Sequence, residues 1–316
     1  MVQSRVVKPI PQENASFSEI FFHFPPRGAI LDAGTPDEAL PGIRRNDGPP
    51  DDSPIRQIEQ HGTKEIMKYN PARHRLPVCD VSGILLVDKP REWTSFDVVN
   101  FVRSRFNVPK VGHCGTLDPA ATGLLVLVLG SFTRASDRFS GADKSYHGTI
   151  RLGVETDSGD LDGAVTAEHD PSEITEERFR EVCESFRGDS MQLPPMVSAV
   201  KVGGKKLYEL ARKGIEVERE PRPITITRFT VERWTPPEAE FTVSCSKGTY
   251  IRVLCADIGR KLGCGAVLAS LRRLRSGRFN VADAITVDTL KTMDQNAFRD
   301  HVIAGLMRIA KEEKTL

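Results

Sequence analysis

The sequence predicts an α+β fold in which a mainly antiparallel mixed sheet is flanked by helices. Two alternating segments, "PITITRFTVERW" and "EFTVSCS", follow each other at hairpin spacing, as antiparallel strands do. Helical segments lie among the strands without the regular βαβ alternation that is typical of a parallel sheet. The chain of 316 residues is long enough to bury a sizeable core.

The first 80 or so residues differ in composition from the rest of the chain. They hold eleven of the 21 prolines, and stretches such as "RRNDGPPDDSP" have no apolar period of either kind. Such a segment cannot bury enough surface to offset the entropy lost on ordering. We therefore expect a disordered N-terminal extension over 1–80. Met67, just before the ordered pattern, is an alternative start.

The first ordered segments combine apolar strands with one helix. "GILLVDKP" is a buried strand closed by proline, and "LLVLVL" is a central strand. "SYHGTIRLGV" is a third strand, and "TDSGDLDG" is a polar loop. Between the first two strands, "TSFDVVNFVRSRFN" is a helix that starts with a capping box of Thr94 and Asp97. Its predicted apolar face consists of Phe96, Val99, Val102 and Phe106.

The second half contains further helices around the predicted hairpin. "ITEERFREVCESFRG" is a helix with Thr175 as N-cap, and "TYIRVLCADIGRKLG" is a helix that stops at Gly263. "AVLASLRRLRSGRF" is predicted to form a short helix ending in a basic loop. The tail that follows is predicted to form one or two surface helices.

Charge and cysteine usage limit the classes of partner. The formal net charge is +1, so a charged partner must meet a local patch of the surface. The six cysteines form no C-x-x-C pair, which favours reduced thiols and a cytoplasmic location. No signal peptide or membrane-length apolar run is present in the sequence, so no membrane partner is expected.

Asp118 is the lone carboxylate of a glycine-rich loop, "GHCGTLDPAATG", which leads directly into the central strand. An aspartate in this setting either makes a turn or acts as a nucleophile or base at the mouth of the strand. A reactive carboxylate must stay ionised, and a nearby cation favours that state. Arg252, in the first turn of an otherwise apolar helix, is the candidate cation; the alternative is an arginine that reaches out to solvent.

Two tyrosines and a histidine complete the set of candidate site residues near these segments. Tyr146 and Tyr250 are either ordinary half-buried tyrosines or stacking faces for a flat base. His113 lacks companions at metal-ligand spacing, so no metal is expected.

Two basic stretches could contact phosphates, although a charge run is more often a solvated face. "KVGGKKLYELARKG" includes Lys205 and Lys206, and "LRRLRSGRF" includes Arg272 and Arg273. Both lie in a nearly neutral chain, which favours local contacts with a nucleic-acid backbone.

Six blocks of the sequence, in order, resemble the TruB family of tRNA pseudouridine synthases. They are "LLVDKP", "GHCGTLDPAATGLLVL", "KSYHGTIRLGVETDSGDLDG", "QLPPMVSAVKVGGKKLYELARKG", "CSKGTYIRVLCADIG" and "LRRLRSGRF". The resemblance implies the pseudouridine synthase fold and isomerisation of uridine to pseudouridine at position 55 of the tRNA T-loop. It implies no cofactor and no metal, with the T-arm of tRNA as partner.

The resemblance also implies roles for individual residues. Asp118 would attack the flipped-out uridine at C1′ or C6, and Arg252 would pair with it. Tyr146 would stack on the uracil and help to remove the C5 proton, with Tyr250 packed beside the pair of Asp118 and Arg252. His113 would occupy the space of the flipped nucleotide. Lys89, at the end of "LLVDKP", would hold the active-site loop.

We expect residues 81–286 to form the catalytic domain and residues 287–316 to form a short helical tail. That tail is too short for the RNA-binding PUA-like domain that many bacterial members carry. Glu92 stands where the family usually has glycine. We expect a monomer without a protein partner. Two alternatives remain: a tRNA-binding or folding module with dispensable catalysis, and the same chemistry on T-loop-like hairpins of rRNA or mRNA.

Overall fold

A computed structural model describes residues 76–314 except 197, 199, 200, 203, 208–213 and 216. For 201, 202, 205, 206 and 308–314 it describes the backbone alone. Residues 1–75 of the extension predicted for 1–80 lie outside the described part of the chain, and so does the alternative start at Met67. Among the described residues, no helix is both long enough and apolar enough to span a bilayer.

A mixed, mainly antiparallel sheet forms the centre of the fold, as the sequence predicts. In the described part of the chain it has ten strands, which follow the order β14-β1-β3-β12-β4-β11-β10-β7, with β2 beside β3 and β13 beside β12. Their bounds are β1 Gly83–Lys89, β2 Val111–His113, β3 Thr122–Leu129, β4 Lys144–Leu152, β7 Gly188–Gln192, β10 Arg222–Thr235, β11 Glu238–Cys245, β12 Ala266–Ser276, β13 Phe279–Asn280 and β14 Ile285–Thr286. Two small pairs lie apart from it, β5 Val154–Thr156 with β6 Val165–Glu168, and β8 Lys201–Val202 with β9 Lys205–Lys206.

Helices cover the sheet, and their ends are set by local sequence. Helix α1 begins after a complete capping box between Thr94 and Asp97. Thr175 caps α3, and Gly263 ends α4 at a left-handed φ of 86°. The helices described are α1 Ser95–Arg105, α2 Ser136–Ser140, α3 Glu176–Glu184, α4 Ile251–Leu262, α5 Val287–Thr292 and α6 Gln295–Lys314, with 3₁₀ turns at Gly130–Ala135 and Val281–Asp283.

The core has two main parts, one at each end of the sheet. Helices α3 and α4 pack against β4, β10, β11 and β12 around fully buried Phe179 and Phe241. Helices α1, α5 and α6 pack against β1 and β3, where the rings of Phe106 and Phe298 stack at 3.9 Å. Strand β3 is buried on both faces, which explains its unbroken apolar run. The site described below lies where these two parts meet.

Two expectations about these elements are wrong. The segment 266–276 is strand β12, although Leu268, Leu271 and Leu274 recur at the three-residue spacing of a helix. Pairing with β4 and β3 takes up its backbone groups, and two irregularities in register disturb the alternation that would have marked it as a strand. In α1, Phe96 is 60 % exposed, and Val98 lies in the core instead.

Candidate active site

The loop that carries Asp118 connects β2 to β3, and backbone contacts close it. The Ala121 amide donates to the Asp118 carbonyl over 3.1 Å, so the turn is made by the backbone of this residue. Its carboxylate is left to face outward, with 45 % of the side chain exposed. The turn-making and functional interpretations of Asp118 therefore apply to different atoms of the same residue.

Arg252 is the cation beside this carboxylate. Its Nε lies 3.0 Å from Asp118 Oδ2 and 3.5 Å from Asp160 Oδ2, and only 5 % of its side chain is exposed. Its Nη1 donates to the Ser158 carbonyl over 2.7 Å. The guanidinium does not reach out to solvent: it is buried at the start of α4 between two carboxylates. Charge-assisted hydrogen bonds of this kind favour the ionised form of an acid.

Asp160 is a site residue that sequence reasoning missed. It belongs to the polar segment "TDSGDLDG", which the pattern identifies only as a loop. The Thr156 hydroxyl donates to the Asp160 carbonyl over 2.7 Å, and Leu268 of β12 donates to the Gly159 carbonyl over 3.0 Å. These bonds fix the loop against β12, so that Asp160 and the Ser158 carbonyl both face Arg252.

Arg273 supports the Asp118 loop from inside the protein. It is 1 % exposed, and its donors go to the backbone carbonyls of Leu124 at 2.6 Å, Gly115 at 3.1 Å and Thr116 at 3.4 Å. The expectation that Arg273 binds RNA phosphates is wrong, because RNA cannot reach a guanidinium enclosed in this way. Its neighbour Arg272 is 40 % exposed and makes a two-pronged ion pair with Asp88 at 2.7 and 3.0 Å.

Lys89 closes the same loop from the other side. Its Nζ donates to the carbonyls of Trp93 at 2.6 Å, Pro90 at 2.9 Å and Pro119 at 3.3 Å. The side chain is fully buried, and burial lowers its pKa to about 8. Lys89 therefore holds the loop, as the resemblance implies, and it is not accessible as an RNA contact. The Glu92 amide adds a 2.8 Å bond to the Pro119 carbonyl.

Tyr146 lies in β4 directly opposite Arg273 of β12 and is 8 % exposed. Burial raises the pKa of its phenol, whereas the charge of Arg273 and a hydrogen bond from it lower that pKa. Tyr250 is half-buried just before α4. The Gln192 side chain holds its backbone with bonds of 2.7 and 3.1 Å. His113 ends β2, half-buried, opposite Leu127.

An open cleft of about 360 Å³ lies beside the Asp118 carboxylate. Arg91 lines it as well; this residue is exposed, and sequence reasoning also missed it. The side chains of Lys205 and Lys206 are outside the described part of the protein, so their predicted RNA contacts stay predictions. The cleft is lined by Arg91, Asp118, Ala120, Ala121, Asp160, Leu161, Asp162, Arg252 and Leu268–Leu271.

The mixed sheet thus presents Asp118 at an open cleft, beside the buried guanidinium of Arg252. Two family profiles match the chain. "TruB family pseudouridylate synthase (N terminal domain)" matches residues 103–251, and "tRNA pseudouridylate synthase B C-terminal domain" matches residues 252–306.

Curated relatives agree with these profiles. A tRNA pseudouridine synthase B of Opitutus terrae is 47 % identical over 217 residues, which cover 69 % of this chain and 90 % of the relative. Another, of Dechloromonas aromatica, is 49 % identical over 215 residues, which cover 68 % of this chain and 72 % of the relative. The chain belongs to the TruB family of pseudouridylate synthases, and it is therefore an isomerase.

Solved structures show the same fold. The chain is similar to a protein in a Cbf5-Nop10-Gar1 complex, with 28 % identity and a TM-score of 0.53, over 69 % of this chain and 59 % of the other. It is also similar to a chain of an archaeal box H/ACA sRNP Nop10-Cbf5 complex, with 25 % identity and a TM-score of 0.52, over 71 % and 60 %. The match thus spans about three fifths of the length of these solved chains.

Proposed function

We propose that this protein isomerises uridine to pseudouridine in tRNA, at position 55 of the T-loop, with Asp118 as the nucleophile. The observation that carries the proposal is the Asp118 carboxylate at an open cleft, 3.0 Å from the buried Arg252. The tRNA substrate is the one named for the curated relatives. The T-loop position and the role of Asp118 rest on the family resemblance.

The reaction begins when the target uridine leaves its stack and enters the cleft. Flipping a nucleotide costs a few kcal/mol of unstacking, which new contacts in the pocket must offset. The cleft beside Asp118 is open to solvent, so the flipped nucleotide can reach the carboxylate. His113 would fill the space that the flipped nucleotide leaves, and Tyr146 and Tyr250 would contact the base.

Asp118 then attacks the nucleoside at C1′ or C6, and the glycosidic bond between C1′ and N1 breaks. The freed uracil rotates and its C5 bonds to C1′, while the bond to Asp118 breaks and restores the carboxylate. The proton on C5 is lost to solvent and N1 gains one. All heavy atoms of the uridine are retained in the product, so the reaction needs no net donor or acceptor. Arg252, 3.0 Å from the carboxylate, orients Asp118 for the attack.

RNA contacts outside the reacting nucleoside would come from cations at the rim of the cleft. Arg91 is exposed and lines the cleft with Asp118. It would therefore make the kind of phosphate contact that the sequence analysis assigned to the buried Arg273. Arg272 is partly exposed beside Asp88. Contacts to phosphates give affinity and register but little sequence information, and they weaken as salt is added.

The proposal is tested with Asp118→Asn and a T-arm transcript that carries tritium at C5 of its uridines. Loss of the C5 proton releases tritium, so the wild-type protein should release it and Asp118→Asn should not, while both bind the RNA. Asp300→Asn, an exposed change on α6, is the control and should keep wild-type release. A transcript with cytidine at position 55 should release none.

Three results would overturn the proposal. Tritium release by Asp118→Asn at the wild-type rate would remove Asp118 from the nucleophile role. RNA binding by the wild-type protein without any release would favour the alternative of a binding or folding module. Release from rRNA or mRNA hairpins, but not from the tRNA transcript, would assign the chemistry to another RNA.

A further inference from the structure

Arg273 is a large charged side chain in the protein core, and its environment is unusual for a cation. Among the described residues it has no carboxylate within ion-pair distance. Its hydrogen bonds to the Asp118 loop and to β3 go to backbone carbonyls. A buried charge costs free energy unless its donors are well paired, so the fold must gain something from this arrangement.

The carbonyls that Arg273 binds lie on both sides of Asp118 in the chain. Gly115 and Thr116 precede it, and Leu124 follows it in β3. The planar guanidinium therefore ties the two ends of the catalytic loop together. Only an arginine offers several rigidly spaced donors in one plane; a lysine offers a single nitrogen.

The same guanidinium faces Tyr146. The two residues are direct partners across β12 and β4, and the charge of Arg273 lowers the pKa of the phenol. The other titratable groups that act on Tyr146 are Cys245 of β11 and Asp118 of the loop. Both of these raise the pKa of the phenol, and Arg273 opposes them.

We propose that Arg273 is a positioning residue that holds Asp118 and the Tyr146 hydroxyl in a fixed relation to each other by binding the loop of one and facing the other. This inference rests on the proposed function, in which Asp118 attacks the nucleoside and Tyr146 contacts the uracil. Misplacing a reacting group by about 1 Å can cost about 100-fold in rate. The effect of Arg273 should therefore appear in the chemical step and not in RNA affinity.

The test compares Arg273→Lys, which keeps the charge, with neutral Arg273→Met, or Arg273→Gln if the methionine variant fails to fold. Arg151→Lys on β4, an exposed arginine paired with Glu238, is the matched control. Single-turnover tritium release gives the rate of the chemical step, filter binding gives the RNA Kd, and thermal unfolding shows that each variant is folded. We expect the lysine and neutral variants to lose about 10-fold or more in rate. The RNA Kd should stay within a factor of about three, because the residue is buried.

A spectroscopic readout separates positioning from simple structural support. The protein has four tyrosines, so 3-fluorotyrosine labelling with Tyr146→Phe as reference assigns the ¹⁹F signal of Tyr146. That signal should titrate at higher pH in the neutral variant than in the wild type, since a nearby cation lowers a phenol pKa. In Arg273→Lys it should titrate close to the wild-type pH.

Each outcome decides the matter. A folded Arg273→Lys with a rate within about two-fold of wild type would refute the positioning role. An unchanged Tyr146 titration in the neutral variant would show that Arg273 does not act on that phenol. If the wild-type protein releases no tritium, the proposed function fails instead, and the ¹⁹F titration still reports on the Arg273–Tyr146 contact.

Discussion

Two buried arginines lie beneath the Asp118 loop, and they are surrounded differently. Arg252 faces the carboxylates of Asp118 and Asp160, at 3.0 and 3.5 Å. Arg273 faces backbone carbonyls at 2.6 to 3.4 Å. Arg252 contributes its positive charge beside two carboxylates. Arg273 contributes several donors in one plane to backbone carbonyls. The same residue type therefore serves electrostatics at one site and geometry at the other.

The surroundings follow from the elements that carry each residue. Arg252 sits in the first turn of α4, where its side chain reaches the open cleft. Arg273 sits in the middle of β12, between β3 and β4, where a side chain must enter the core or the opposite face. A carboxylate at the cleft remains partly solvated, but a loop in the core can offer only its carbonyls.

The largest expected effect distinguishes the two arginines by whether a lysine can replace them. Arg252→Met should lower the single-turnover rate by about 100-fold or more, because it removes a charge that supports the reactive acid. Arg252→Lys should recover most of that loss, since a compact cation can still reach Asp118. At position 273 lysine should not restore the rate, because it lacks the planar set of donors of the guanidinium. Equal loss in both variants at 252 would show that shape, and not charge, matters there too.

Two glycines extend the comparison to the backbone. At Gly123, with φ at 98°, a Cβ would collide with the Arg273 backbone oxygen and lie 2.8 Å from its nitrogen. At Gly159, with φ at 74°, a Cβ would lie 3.4 to 3.6 Å from atoms of Arg252. The Arg273 backbone would have to shift to admit a Cβ at Gly123, whereas the distances at Gly159 are those of ordinary van der Waals contact. We expect Gly123→Ala to lower the free energy of unfolding by about 3 kcal/mol or more, and Gly159→Ala by about 1–2 kcal/mol.

Urea unfolding of the two alanine variants measures this difference. Gly188→Ala, at φ 98° with nothing near the added Cβ, is the control for the cost of the left-handed conformation alone. It should resemble Gly159→Ala. A Gly123→Ala that is no less stable than this control would mean that the Arg273 strand can shift, contrary to the rigid support inferred for it.

The sequence was sufficient where the determining contacts are local. The capping box of Thr94 and Asp97 and the left-handed stop at Gly263 depend on neighbours a few residues away, and they are confirmed. Arg252 was also recognisable, because an arginine in an apolar helix needs a partner. The need for a cation beside a reactive Asp118 made Arg252 its candidate partner, the family resemblance implied the same pair, and the two residues lie together in the structure.

The sequence misled where long-range packing decides. Arg273 belongs to a run of arginines that resembles a solvated patch, and only the pairing of β12 with β3 and β4 places it in the core. Asp160 appeared as one of several acids in a polar loop, and its role depends on α4, which is distant in the chain. Charge density along a sequence does not reveal which charges become buried.

The smallest expected effect concerns Glu92, which binds the Asp118 loop at the same Pro119 carbonyl as Lys89. Its φ of 69° is left-handed, a conformation that costs most L-residues about 1–2 kcal/mol. Its amide still donates to the Pro119 carbonyl over 2.8 Å, so the turn keeps this shape despite the cost. Glu92→Gly should remove the strain but raise the entropy of the unfolded chain, for a net gain of about 0.5–1 kcal/mol in the free energy of unfolding. Asn107→Gly, at φ 49°, is the control and should gain nothing, because asparagine tolerates this conformation and its side chain bonds the Leu76 carbonyl at 2.9 Å. If Glu92→Gly were less stable than the wild type in urea, the glutamate side chain would contribute more than its backbone costs, and this turn would depend on side-chain chemistry as the Arg252 site does.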